Sequence, residues 1–110
     1  MIEKTLSRIE ETVAGAPALS EEKKAQLLKL ISELKSEITV LSETDAERAL
    51  DIARKTHISA RHATQEESDG HQISSALDDL KSSVDIFEVS HPSLVSTVNA
   101  FCNALADIGI

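Results

Sequence analysis

Apolar positions along the chain fall at helical intervals throughout. Ile2, Leu6, Ile9 and Val13 recur at steps of 4, 3 and 4, which lines four side chains along one helical stripe. That stripe stops at Gly15-Ala16-Pro17, where glycine offers an exit and proline forbids continuation. Ser20 follows as a candidate N-cap, with Glu21 and Glu22 in the first turn, where carboxylates complement the positive end of the helix dipole. Pro17-Ala18-Leu19 is thus a tight connector, and residues 1–42 are expected to fold back as a helical hairpin.

The second stripe is the cleanest in the chain: Leu27, Ile31, Leu34, Ile38 and Leu41, with Leu28, Leu30 and Val40 widening its apolar face. Continuing the same heptad would place apolar residues at 45, 48, 52 and 55, whereas the sequence has Asp45, Arg48, Ile52 and Lys55. Thr44-Asp45-Ala46-Glu47 instead reads as a capping box, with Thr44 as the cap. Either the helix breaks near 42–44 or it continues with its face rotated; an unbroken helix from 21 to 62 would be roughly 63 Å long, which is long for one small domain and favours a break or kink. A weaker, Ala-rich helix then occupies 44–62, its stripe read as Ala46, Leu50, Ala53, His57 and Ala60. A polar loop at 63–70 follows, and 71–110 is expected to form a C-terminal helix pair. Its first member carries Ile73, Leu77, Leu80, Val84 and Phe87. Its second begins at Pro92, well suited to a first helical turn, and carries Leu94, Val95, Val98, Phe101, Cys102, Leu105 and Ile108 as a wide face expected to be the most buried. Gly109-Ile110 resembles a C-terminal cap. The expected fold is all-α: one domain, 1–110, built as a small helical bundle.

Composition narrows the function classes. Among 110 residues there is no Trp or Tyr, two Phe and a single Cys, so neither an aromatic stacking platform nor a disulfide scaffold is available. The net charge of −8 is unevenly spread: residues 1–63 carry −1 and residues 64–110 carry −7. A phosphate backbone would be repelled by the second half, which argues against nucleic acid as a partner. No stretch approaches the roughly 18 apolar residues of a membrane helix, so no membrane partner is expected. The acidic opening MIEKTLSRIEETV does not resemble a signal peptide. With one unpaired cysteine, this points to the cytoplasm.

Residues 87–110 carry a distinctive pattern: Phe87, Glu88, His91, Pro92 and Leu94 as F-E-x-x-H-P-x-L, then, about ten residues on, Leu105-Ala106-Asp107-Ile108-Gly109-Ile110 as L-x-x-x-G-I. This pattern resembles a small bacterial family of helical domains of unknown function, numbered four-four-zero-four. The resemblance implies a small helical cytoplasmic protein. It brings no catalytic residue and no cofactor, and marks Phe87, Glu88, His91, Pro92, Leu94, Gly109 and Ile110 as structural carriers of the pattern.

Few side chains offer chemistry. His91 reads either as a helix junction packed between Phe87 and Leu94, with Glu88 holding its ring, or as a general base oriented by Glu88; the junction is favoured because no nucleophile or metal partner is evident. His57, His62 and His71, with Glu66, Glu67 and Asp69, form a loose cluster that could bind a ligand or metal, although no zinc motif is present. Cys102, on an apolar face without basic neighbours of its own helix, reads as a small hydrophobe. Arg48, Arg54, Lys55 and Arg61 are the one basic concentration, matched by Glu43, Asp45, Glu47 and Asp51. A solvated face of ion pairs is the plain reading, and an anion or partner site the sharper one. No phosphate loop or nucleophile elbow occurs, so an enzyme is not expected. The leading reading is a non-enzymatic helical interaction module, a homodimer whose seam is Leu27, Ile31, Leu34, Ile38 and Leu41, because the short first helix leaves part of that stripe uncovered. The competing reading is a ligand- or metal-binding protein using the His57, His62 and His71 region.

Overall fold

The computed structural model describes residues 2–17, 19–65 and 69–109. It contains five helices: α1 (Ile2–Ala14), α2 (Glu21–Ser42), α3 (Ala46–Thr64), α4 (Gly70–Asp85) and α5 (Pro92–Gly109). No strand occurs among the described residues, and the protein is an all-α bundle.

Helix boundaries follow local hydrogen bonding. Ser20 caps α2, its Oγ accepting from the Lys23 N–H at 3.2 Å. Gly15 precedes that connector without a left-handed backbone, since no described glycine has a positive φ. Space is what constrains it: a Cβ there would meet the Glu11 carbonyl oxygen at 3.2 Å. Ala16 and Leu19, both buried, close the core beneath the turn.

The break between α2 and α3 falls where the heptad fails, but its cap differs from the expected one. The Asp45 side chain, not Thr44, accepts from the Arg48 N–H at 3.2 Å. Thr44 Oγ1 donates back to the Leu41 carbonyl, which also receives the Thr44 and Asp45 N–H groups at 3.1 and 2.8 Å. With its hydroxyl closing α2, Thr44 is not the residue that opens α3. The longest dimension of the molecule is 37 Å, so α2 and α3 fold against each other rather than forming one rod.

At the centre of the bundle lies α3, in contact with α1, α2, α4 and α5. Its buried face is Ala49, Ile52, Ala53, Thr56, Ser59, Ala60, Ala63 and Thr64. The expected stripe was rotated from this: Ala46 is exposed, and Leu50 and His57 are half-buried. Short side chains let neighbouring helices approach, because interaxial distance is set by the residues at the contact. The buried hydroxyls cost little. Thr56 and Thr64 each donate at 2.7 Å to the carbonyl four residues back, and Ser59 does so at 2.9 Å. A stripe read from apolar residues alone omits such positions.

The helix α1 lies along α3 more extensively than along its hairpin partner α2, while α5 packs on both α4 and α2. This arrangement covers the expected dimer seam within a single chain. Leu27, Ile31, Leu34, Ile38 and Leu41 are each at most 1% exposed in the single chain. The short α1 does not have to cover the stripe unaided, since α3 and α5 also pack on α2. A second copy could reach these side chains only by opening the bundle. The apolar residues left in solvent are scattered instead: Val40 on α2, Ile58 on α3, and Ile86 and Val89 in the turn after α4.

Candidate functional site

The tertiary structure divides the basic residues of α3 into two groups. Arg48 pairs with its cap, Asp45, at 3.5 Å, and Lys55 pairs with Asp51 at 3.0 Å while donating to Ser83 of α4 at 2.6 Å. These two cations are held. Arg54 and Arg61 form no ion pair among the described residues. Successive positions 54, 58 and 61 run along the exposed line of α3.

Beside that line lies α1, which contributes Lys4 and Arg8, also without an ion pair among the described residues. Lys4 and Arg8 from α1, with Leu50, Arg54, His57 and Ile58 from α3, line a groove of about 450 Å³. Such a volume is within the usual range for small-ligand sites. The cationic charge is local and contrasts with the −8 of the whole chain. Glu3 and Glu11 border Lys4 and Arg8 on the outer side of α1. Glu10, on the flank toward α2, is engaged by Lys35.

His57 sits on the wall of this groove. Thr12 Oγ1 donates its hydroxyl proton to the Arg8 carbonyl at 2.8 Å, so its 3.3 Å contact with His57 Nε2 must be accepted from the imidazole. In the neutral ring that leaves Nδ1 as the proton-free nitrogen. Burial lowers the His57 pKa below 6.5, and the charges of Arg61 and then Arg8 push the same way. The second effect follows from placing an imidazole among fixed cations, and a bound anion would oppose it.

The other candidates are dispersed. His57 does not join His62 and His71, which line a separate groove of about 270 Å³ between α3 and α4 with Gln72, Ser75 and Asp79. His57 and His62, five residues apart, fall on opposite flanks of the exposed line of α3. Among the described residues no group of three or more His, Cys, Asp or Glu side chains is placed to hold a metal ion. Asp69 caps α4 through the His71 N–H at 2.9 Å. Glu66 and Glu67 lie outside the described residues.

His91 occupies the junction between α4 and α5. Its ring meets Phe87 edge to face, centroids 5.7 Å apart, and its carbonyl receives the Leu94 and Val95 N–H groups at 3.1 and 3.3 Å. Pro92 starts α5, and Phe87 and Leu94 are buried on either side. Glu88 is exposed and does not bond to the His91 ring, so the ring's orientation comes from packing and not from a carboxylate. Gly109 is the last residue of α5, and the cap expected at Ile110 lies outside the described residues. Cys102 is fully buried, and burial pushes its thiol up to about 11; the nearby Lys81 lowers it and Asp78 raises it further. A thiol so placed stays protonated and inaccessible, unlike a nucleophile.

The sequence singled out Arg54 and Arg61 but missed Lys4 and Arg8. Their spacing of four on the polar side of α1 was the available signal; what it lacked was the information that α1 lies along α3. Comparison with known proteins adds nothing to this site: no family model, no curated protein and no solved structure matches the chain. The likeness of residues 87–110 to the four-four-zero-four family rests on the residue pattern alone.

Proposed function

We propose that this protein is a non-enzymatic helical interaction module, whose recognition surface is the basic groove between α1 and α3 and whose partner presents anionic groups to it. The observation that carries this reading is the set Lys4, Arg8 and Arg54 lining the groove, with Arg61 close enough to act on His57, none of them in an ion pair among the described residues, on a chain of net charge −8. Unpaired like charges on adjacent helices repel one another and contribute nothing to folding; a partner anion turns that repulsion into attraction. Two residues that could have carried covalent or acid–base chemistry are occupied otherwise: Cys102 is enclosed in the core and His91 is packed against Phe87. One buried thiol suits a reducing compartment such as the cytoplasm. Self-association through the Leu27–Leu41 stripe is not part of this reading, since that stripe is spent inside the monomer.

The test is thermal unfolding with two anionic probes, a short oligoglutamate and pyrophosphate, each compared with chloride at equal ionic strength. Binding to the folded state raises Tm by mass action. At least one probe is expected to do so, and Arg54→Glu should abolish the shift. A Tm unmoved by both probes would remove the basis for the reading.

A further inference from the structure

The reading above leaves the chemistry of the anion open, and the groove narrows it. We propose that the α1–α3 groove takes a small compound bearing phosphate groups, held by the guanidinium groups of Arg8 and Arg54 from opposite walls, with Lys4 and Arg61 completing the positive field. This rests on the interaction-module reading and specifies its ligand.

Three features favour phosphate over carboxylate. First, three of the four cations are arginines, whose planar fork donates paired hydrogen bonds to phosphate oxygens and keeps its charge at any accessible pH. Second, four cations without ion pairs among the described residues exceed what a single carboxylate neutralises, whereas a phosphate compound of two or more negative charges offsets more of them. Third, the cations stand on two helices, so a ligand must accept from both walls; a tetrahedral group with several oxygens can do so.

Size follows from charge. A long polyanion lying across the molecule would pass over surface carrying the excess of acids, with residues 64–110 alone at −7. A small ligand stays inside the groove, and solvent screens it from acids beyond about 8 Å at physiological ionic strength. The volume of about 450 Å³ suits such a compound. A membrane surface meets the same penalty as a nucleic acid, because the acidic remainder of the protein would face anionic headgroups.

His57 provides an internal reporter. Arg61 and Arg8 act on it from α3 and α1; Lys4 and Arg54 share its groove, Thr12 accepts from its Nε2, and Glu3 and Glu11 lie beyond on the outer side of α1. In the free protein the folded chain moves the His57 midpoint below 6.5, so this group's contribution to stability is present above 6.5 and fades as pH falls through the lowered midpoint. A phosphate ligand cancels part of the positive field and supplies an acceptor for a second ring proton. Its binding therefore raises the His57 midpoint and draws in a proton at pH values between the free and bound midpoints.

Calorimetry with pyrophosphate on the full chain decides the matter, with the His57 imidazole followed by NMR across pH with and without ligand. Saturable one-to-one binding is expected, weakened at least tenfold in Arg8→Gln/Arg54→Gln and unchanged in Arg48→Gln, whose cation is paired with Asp45. The His57 midpoint should rise on saturation. Circular dichroism checks that the double variant is folded; if it is not, Lys4→Gln/Arg61→Gln replaces it, with the same loss expected. Oligoglutamate binding without pyrophosphate binding would overturn the phosphate assignment while leaving the interaction-module reading intact. No binding of either probe would end both. Vesicles containing a phosphoinositide that bind far more tightly than pyrophosphate would overturn the small-ligand assignment, and so would undiminished pyrophosphate binding in the folded double variant.

Discussion

Replacing Ile38 by Ala separates an internal core from a seam between copies. Ile38 is 0% exposed and lies in the stripe of α2 that meets the rest of the bundle. The substitution deletes three carbons; at about 0.8 kcal/mol for each buried methylene, the lost transfer energy is about 2.4 kcal/mol. A residual cavity of about 60 Å³ at about 24 cal/mol per Å³ adds about 1.4 kcal/mol, giving about 4 kcal/mol in all. Against a total stability of roughly 5–15 kcal/mol for a domain, this is a large fraction that still leaves the chain mostly folded in buffer. Urea titration followed by circular dichroism reads it directly. With a slope of about 1.5 kcal/mol per molar, the midpoint should fall by about 2.5 M. The slope itself should be unchanged, and the midpoint should not depend on protein concentration. A loss below about 1 kcal/mol, accompanied by a halving of the sedimenting mass, would show that the stripe joins two copies and that the packing argument is wrong.

The remaining expectations concern the core, a cap and the thiol. Phe101→Ala removes the largest fully buried side chain and should cost about 3–5 kcal/mol; an unchanged Tm would show that the ring is peripheral. Asp45→Ala should cost about 1 kcal/mol in the same urea assay by uncapping α3, and more than Thr44→Ala; the reverse order would restore Thr44 as the cap. Because the folded pKa of Cys102 is raised from 9.0 to about 11, the unfolded chain releases this proton first as pH climbs. Wild type should therefore lose stability across that interval faster than Cys102→Ala does, and parallel pH profiles of the two would contradict a buried thiol.

Periodicity was enough to establish the fold class. The stripes at 2–13, 27–41 and 73–84 each fix which face of a helix is apolar, and Ser20, Pro17 and Pro92 fix where the elements begin or end, because capping and proline geometry are local. The all-α bundle and the break near 42–44 follow from those signals. The register of α3 did not, since hydroxyls that satisfy themselves on the preceding turn can be buried as readily as alanine. Which stripe faces which neighbour was equally hidden: the same 4-3-4-3 pattern on α2 serves a homodimer seam or an internal packing surface. Only the placement of α3 and α5 against it decided for the second. The basic groove is the clearest case. Arg54 and Arg61 were visible as charges, but whether a lysine or arginine is spent in an ion pair depends on what stands within a few ångströms. Lys55 finds Asp51 and Ser83, Arg48 finds Asp45, and Arg54, in no ion pair among the described residues, shares a groove with Lys4 and Arg8, more than forty residues away in the chain. Helical periodicity is a property of neighbours along the chain and is therefore written in the sequence; the company a charge keeps is a property of packing.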